Sequence, residues 1–101
     1  FGSPFGPREL AELYTERGQR ILLLYEWDRV LEQYNRALEI DPGYAPAYFH
    51  RGVLYYTQGP RERALDDFRN YLMILPGGAF ADEAERYIES IEIELEAVGE
   101  N

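Results

Sequence analysis

The chain has 101 residues, of which 46% are apolar and 15% aromatic, and a formal net charge of −9. That length and apolar share fit one small folded domain, and the lack of cysteine excludes disulfides, zinc fingers, iron–sulfur clusters and thiol nucleophiles. So acidic a chain repels phosphate backbones and anionic lipid, which excludes nucleic acid as a partner.

The charge is uneven. Residues 1–44 hold five arginines against eight acids, residues 45–78 four against three, and residues 79–101 one against eight. Every basic residue is arginine. No apolar run reaches the ~20 residues of a membrane helix, so membrane insertion is not expected. No basic-apolar-small leader is visible, and an opening Phe1 in place of methionine reads as a processed product or a piece of something longer.

In chain order, residues 1–7 (Phe-Gly-Ser-Pro-Phe-Gly-Pro) lack helical periodicity and read as a flexible arm. A first helix is expected from about Glu9 to Tyr25 and a second from Trp27 to Ile40, closed by Asp41-Pro42-Gly43. The turn between them, Tyr25-Glu26-Trp27-Asp28, contains no glycine. A third helix begins near Ala45 and carries Tyr48, Arg51, Gly52 and Tyr55 at three- and four-residue spacing. Gly59 stops it, and Pro60 sits where a new helix starts, its missing N–H costing nothing there. The fourth helix has the stripe Ala64, Leu65, Phe68, Leu72, Leu75 and ends at Pro76-Gly77-Gly78. Residues 79–97 form a last helix with Phe80, Ala84, Tyr87, Ile88, Ile91 and Leu95 on one face and glutamates on the others. Residues 98–101 are a tail.

A shift of 34 residues superposes the chain on itself: Tyr14 on Tyr48, Arg17 on Arg51, Gly18 on Gly52, Tyr34 on Phe68, Leu38 on Leu72 and Pro42 on Pro76. The pattern is aromatic-x₂-large-Gly-x₂-aromatic, then small-x₃-aromatic, then proline, with Ile21 at the second aromatic place of the first copy. In the second copy these are Tyr48, Arg51, Gly52, Tyr55, Ala64, Phe68 and Pro76. This pattern resembles the tetratricopeptide repeat family over residues 11–78. The resemblance implies an all-α fold: a right-handed α-solenoid of two 34-residue helix-turn-helix repeats, 11–44 and 45–78, plus a C-terminal capping helix at 79–97, together one domain over 8–97.

Three departures stand out. Arg17 and Arg51 replace the family's usual leucine, and a half-buried guanidinium needs an anion. Asp67 is the candidate for Arg51, whereas Arg17 faces only Gln33 at the matching place. Tyr71 stands where the family has a small residue and is expected to push or retilt the following helix. That helix keeps its apolar stripe only if the register slides by two residues.

Catalytic chemistry is not expected. The one histidine is His50 and the serines are Ser3 and Ser90, which make no triad with a carboxylate. No calcium loop and no glycine-rich phosphate loop is present, so no metal or cofactor is expected. Tyr14, Tyr34, Tyr48 and Tyr55 occupy pattern positions and are assigned to the core.

In tetratricopeptide repeat proteins the first helix of each pair lines a concave peptide-binding groove. The resemblance therefore places Glu12, Thr15, Glu16, Gln19, Leu22 and Leu23 in the groove from the first copy, and Phe49, His50, Val53 and Tyr56 from the second. Some members grip a chaperone's C-terminal carboxylate with lysine, asparagine and arginine. Thr15, Gln19, Pro46 and His50 stand at those places here, which does not suit an acidic tail. The implied function is a protein-interaction module for an apolar segment with some positive charge. The alternative is a structural or self-association module, packed on further repeats, a sister subunit in a homo-dimer, or a catalytic domain of a larger protein.

Overall fold

Apolar stripes at helical spacing, interrupted by glycine and proline, give five helices in the computed structural model, which describes residues 4–99. They are α1 (Pro7–Leu22), α2 (Trp27–Ile40), α3 (Ala45–Gln58), α4 (Arg61–Ile74) and α5 (Ala81–Gly99). The expected arm at 1–7 falls partly outside the described residues (1–3), and Pro7 already opens α1, where its lack of an N–H is harmless. Of the expected tail, 98–99 belong to α5 and 100–101 lie outside the described residues.

Helices α1 with α2 and α3 with α4 form two hairpins. Their close approach depends on Gly18 and Gly52. A Cβ on Gly18 would lie 2.6 Å from Tyr34 Cε1, and one on Gly52 would lie 2.9 Å from Phe68 Cε1. The ring of each second helix thus rests on the backbone of the first. Ile21, Val30, Tyr34 and Leu54 pack together and join the two hairpins, as do Ala11, Ala37, Leu38 and Ala47. A larger cluster, centred on Phe49, Phe68, Tyr71 and Ile91, joins the second hairpin to α5. The architecture is an all-α solenoid. Of the tyrosines assigned to the core, Tyr34 and Tyr55 are buried and Tyr14 and Tyr48 half-buried.

The Arg51 guanidinium makes a two-point ion pair with Asp67, Nε to Oδ2 at 2.8 Å and Nη2 to Oδ1 at 2.7 Å. Its third nitrogen donates to Asn35 Oδ1 at 2.9 Å, so the same side chain ties α3 to both α4 and α2. In the first repeat the arrangement is absent: Arg17 is exposed, and Gln33 Oε1 is buried without a hydrogen-bond partner.

Four expectations are corrected. Helix α1 ends at Leu22, not Tyr25; the N–H groups of Leu23, Leu24 and Tyr25 bond back to Arg20, Ile21 and Leu22 in a tightened last turn. Tyr71 does not push the next helix away by bulk alone. Its buried hydroxyl accepts the Phe80 N–H at 3.0 Å and so anchors the approach to α5. The connection is lengthened to pass it: residues 75–80 join α4 to α5, against 41–44 between α2 and α3. Those two extra residues are the two-residue slide in register. Phe49 is core, only 4% exposed, because Phe80 from that longer connection stacks on it at 4.3 Å between ring centres. Thr15, at the equivalent place in α1, is also buried and turns its hydroxyl to Ala11 O at 2.8 Å.

Candidate functional site

The first helices of the two hairpins, α1 and α3, lie side by side, and α2 supplies the floor between them. At the C-terminal end of this groove is a cavity of about 660 Å³, within the range of ligand clefts. Five of the groove residues read from the sequence line it: Gln19, Leu22 and Leu23 from α1 and its turn, His50 and Val53 from α3. Tyr25, Trp27, Tyr34, Leu54, Thr57 and Gln58 complete the wall. No acid and no arginine is among them.

His50 is the one ionisable imidazole on this wall. It stacks on Tyr34, with ring centres 6.1 Å apart, meets Phe49 and Phe80 edge-on, and comes within 3.3 Å of the Gln19 side-chain nitrogen through Nε2. Burial pushes its imidazole below the ordinary histidine range, so it is neutral at pH 7 and contributes a hydrogen-bonding group without charge. Burial likewise raises the Tyr34 hydroxyl to about 12.

The opposite end of the groove is acidic. Glu12 and Glu16 are exposed on α1. Tyr44, ahead of α3, has its hydroxyl raised by burial first and then by the carboxylates of Glu12 and Glu16, against the opposing charge of Arg8, which lies 5.6 Å over its ring and is paired with Asp41. One end is therefore anionic and the other uncharged and apolar.

The remaining groove residues go elsewhere. Phe49 and Thr15 are core, as described. Tyr56 is half-buried on the side of α5: its hydroxyl meets Ser90 Oγ at 3.1 Å, its ring meets Tyr87 edge-on at 4.8 Å, and the Arg61 guanidinium covers it at 4.0 Å. Arg61 in turn pairs with Glu94 of α5, and Arg69 with Glu92 at 3.3 Å. The α4 arginines thus neutralise part of the acidic last helix. With Phe49 and Tyr56 turned away, the apolar residues read for the groove reduce to Leu22, Leu23 and Val53, which Tyr25 and Trp27 extend. The sequence signal for those last two is the glycine-free turn with its two aromatics, Tyr25 and Trp27.

Among the described residues no helix is long and apolar enough to cross a membrane, and no three acids or histidines converge on a common point.

A family model described as TPR repeat matches residues 26–59. Sperm-associated antigen 1 of Mus musculus is 33% identical over 82 residues, 81% of this chain and 9% of that protein. A tetratricopeptide repeat and J domain-containing co-chaperone of Cryptococcus neoformans is 36% identical over 78 residues, 76% of this chain and 14% of that protein. The chain thus spans a small fraction of the length of these relatives. The crystal structure of MamA superposes with a TM-score of 0.61 at 21% identity, covering 90% of this chain and 61% of that one, which is a likeness of fold.

Proposed function

We propose that this chain, which belongs to the tetratricopeptide repeat family, works by holding an extended apolar segment of another protein in the groove between α1 and α3. Repeat modules of this kind act in protein–protein interaction, and the groove supplies the particulars. The observation that carries the reading is the uncharged cavity at one end of a groove whose other end is acidic. A large apolar side chain enters the cavity and sheds water there. A basic residue of the same segment lies against Glu12 and Glu16. From Glu16 to Leu23 is seven residues of helix, about 10 Å, which an extended segment spans in about three residues. A partner with a basic residue some three positions from a large apolar one fits both ends. An acidic tail fits neither.

The test is to select peptides by display on the immobilised protein and titrate the selected peptide against Thr57→Asp. Thr57 lines the cavity and is exposed, so the variant places a charge in the cavity without opening the core. Affinity should fall at least about tenfold with the melting temperature within a few degrees of the parent. Undiminished binding would place the site elsewhere.

A second reading is favoured by one observation. Leu13 is 42% exposed, while Ala47, the equivalent residue of α3, is fully buried against α2. The outer face of α1, with Leu10 and Leu13, is built like a face that receives another helix, from a further repeat or a sister chain. A sedimentation series over concentration separates the readings: Leu13→Glu abolishes a self-associated species if one forms there, and leaves groove binding intact.

A further inference from the structure

Among the described residues, Tyr25 is the one non-glycine residue with positive φ, at 57°. A side chain with a Cβ is disfavoured in that left-handed region, and bulky residues seldom occupy it. In the second repeat the residue 34 positions on is Gly59, the cap of α3, where a positive φ of 84° is met by glycine. A positive φ does not call for an aromatic at position 25. Nor is the ring there for packing, since Tyr25 is 76% exposed and its one ring contact is the edge of Trp27 at 5.5 Å between centres. Strained residues that the fold does not require collect at ligand clamps. Tyr25 rims the groove cavity, beside Leu23, itself 80% exposed, and opposite Val53.

We infer that the α1–α2 turn is the specificity element of the groove: Tyr25, Leu23 and Trp27 close against Val53 around one large uncharged apolar side chain, phenylalanine or leucine, of the bound segment. This rests on the groove reading above and names its anchor. The occupant's chemistry follows from the wall. With no acid or arginine lining the cavity, a charged side chain there would lose water and find no counter-ion, whereas an apolar one meets two aromatic edges and aliphatic groups. Tyr25 is held in its conformation for the ligand it covers, not for the stability of the turn.

The experiment uses Trp27, the chain's single tryptophan, as an internal reporter. The probes are blocked hexapeptides of glycine and serine with one arginine and one phenylalanine three positions apart, in both orders. Counterparts carry leucine, alanine or glutamate in place of the phenylalanine. Phenylalanine and leucine peptides should shift the Trp27 emission in a saturable way, with alanine and glutamate peptides at least about tenfold weaker. Tyr25→Gly and Tyr25→Asn, both tolerant of positive φ, should weaken the phenylalanine peptide at least about fivefold while melting at or above the parent temperature. A purely structural tyrosine would instead lower the melting temperature. Unchanged peptide affinity in the Tyr25 variants overturns the inference. If Thr57→Asp still abolishes binding in that case, the groove reading stands alone. Equal binding of the glutamate peptide, no saturable shift with any peptide, or a dimer that dissociates on Tyr25→Gly would also overturn it.

Discussion

Replacing Arg51 with methionine keeps the aliphatic stem and removes the charge. Asp67, 3% exposed at the side chain, then loses both of its charge-assisted hydrogen bonds. A buried charge stripped of its partner costs about 3–5 kcal/mol. Taking the low end, because Asp67 can accept a proton, the loss is about 3 kcal/mol. For a domain of this size each kcal/mol is worth about 4–8 °C, so the melting temperature should drop by about 12–24 °C. The reciprocal change, Asp67→Asn, should cost only about 1–2 kcal/mol, because the Arg51 side chain is 21% exposed and rehydrates. The double variant Arg51→Met/Asp67→Leu removes both charges and should return to within about 1 kcal/mol of the parent. The pH dependence has a definite sign. Burial holds the Asp67 carboxyl above its ordinary value and Arg51 opposes that, so without Arg51 it rises further. The folded variant then keeps a proton that the unfolded chain releases, and its deficit shrinks as pH falls, by at most about 1.4 kcal/mol per pH unit. Urea titrations at pH 7 and pH 5 measure all of this. Additive single losses, or an Arg51→Met protein that melts within about 3 °C of the parent, would refute the pairing as a source of stability.

Phe49→Ala should lose about 3–5 kcal/mol in a thermal melt, because the ring is enclosed by Phe68, Tyr71, Phe80 and Tyr87. Gly18→Ala should destabilise by about 1 kcal/mol, since the clash with buried Tyr34 outweighs alanine's helix propensity of about 1 kcal/mol; a more stable variant would show that the ring can yield. Removing residues 79–101 should lower the melting temperature and expose the aromatic cluster to a dye such as ANS, the outcome expected if α5 caps the array. His50, pushed down by burial, binds its proton more weakly in the folded than in the unfolded chain. Stability should therefore fall as pH drops through the unfolded histidine value of about 6.5. His50→Gln should remove that component of the pH profile.

The helices were legible because their signals are local. Glycine and proline mark three of the four breaks, and the 34-residue offset reveals the hairpins. The Arg51–Asp67 pair was legible for a related reason: a half-buried arginine needs an anion, and Asp67 stands across the hairpin from Arg51, whereas Arg17 at the same repeat position stays exposed to water. What escaped depends on tertiary placement. Phe49 has the spacing of a groove residue, but the two extra residues before α5 bring Phe80 onto its face. Nothing in the local pattern around Phe49 carries that information. The end of α1 was hidden by its own composition, since Leu22-Leu23-Leu24-Tyr25 continues a helix-compatible apolar run and the residue that turns the chain is a tyrosine. The sequence rule that a turn of positive φ carries glycine holds at Gly59 and fails at Tyr25, at the rim of the cavity. Local rules are most often broken where a site imposes its own demand.

The central claim is that the groove between α1 and α3 is the binding surface. The most direct measurement is a map of backbone amide shifts in ¹⁵N-labelled protein titrated with the display-selected peptide. The largest changes should fall at Gln19, Leu22, Leu23, Trp27, His50 and Val53 around the cavity, with smaller ones at Glu12 and Glu16. Changes centred instead on the outer face of α1, at Leu10 and Leu13, or on the glutamates of α5, would contradict it.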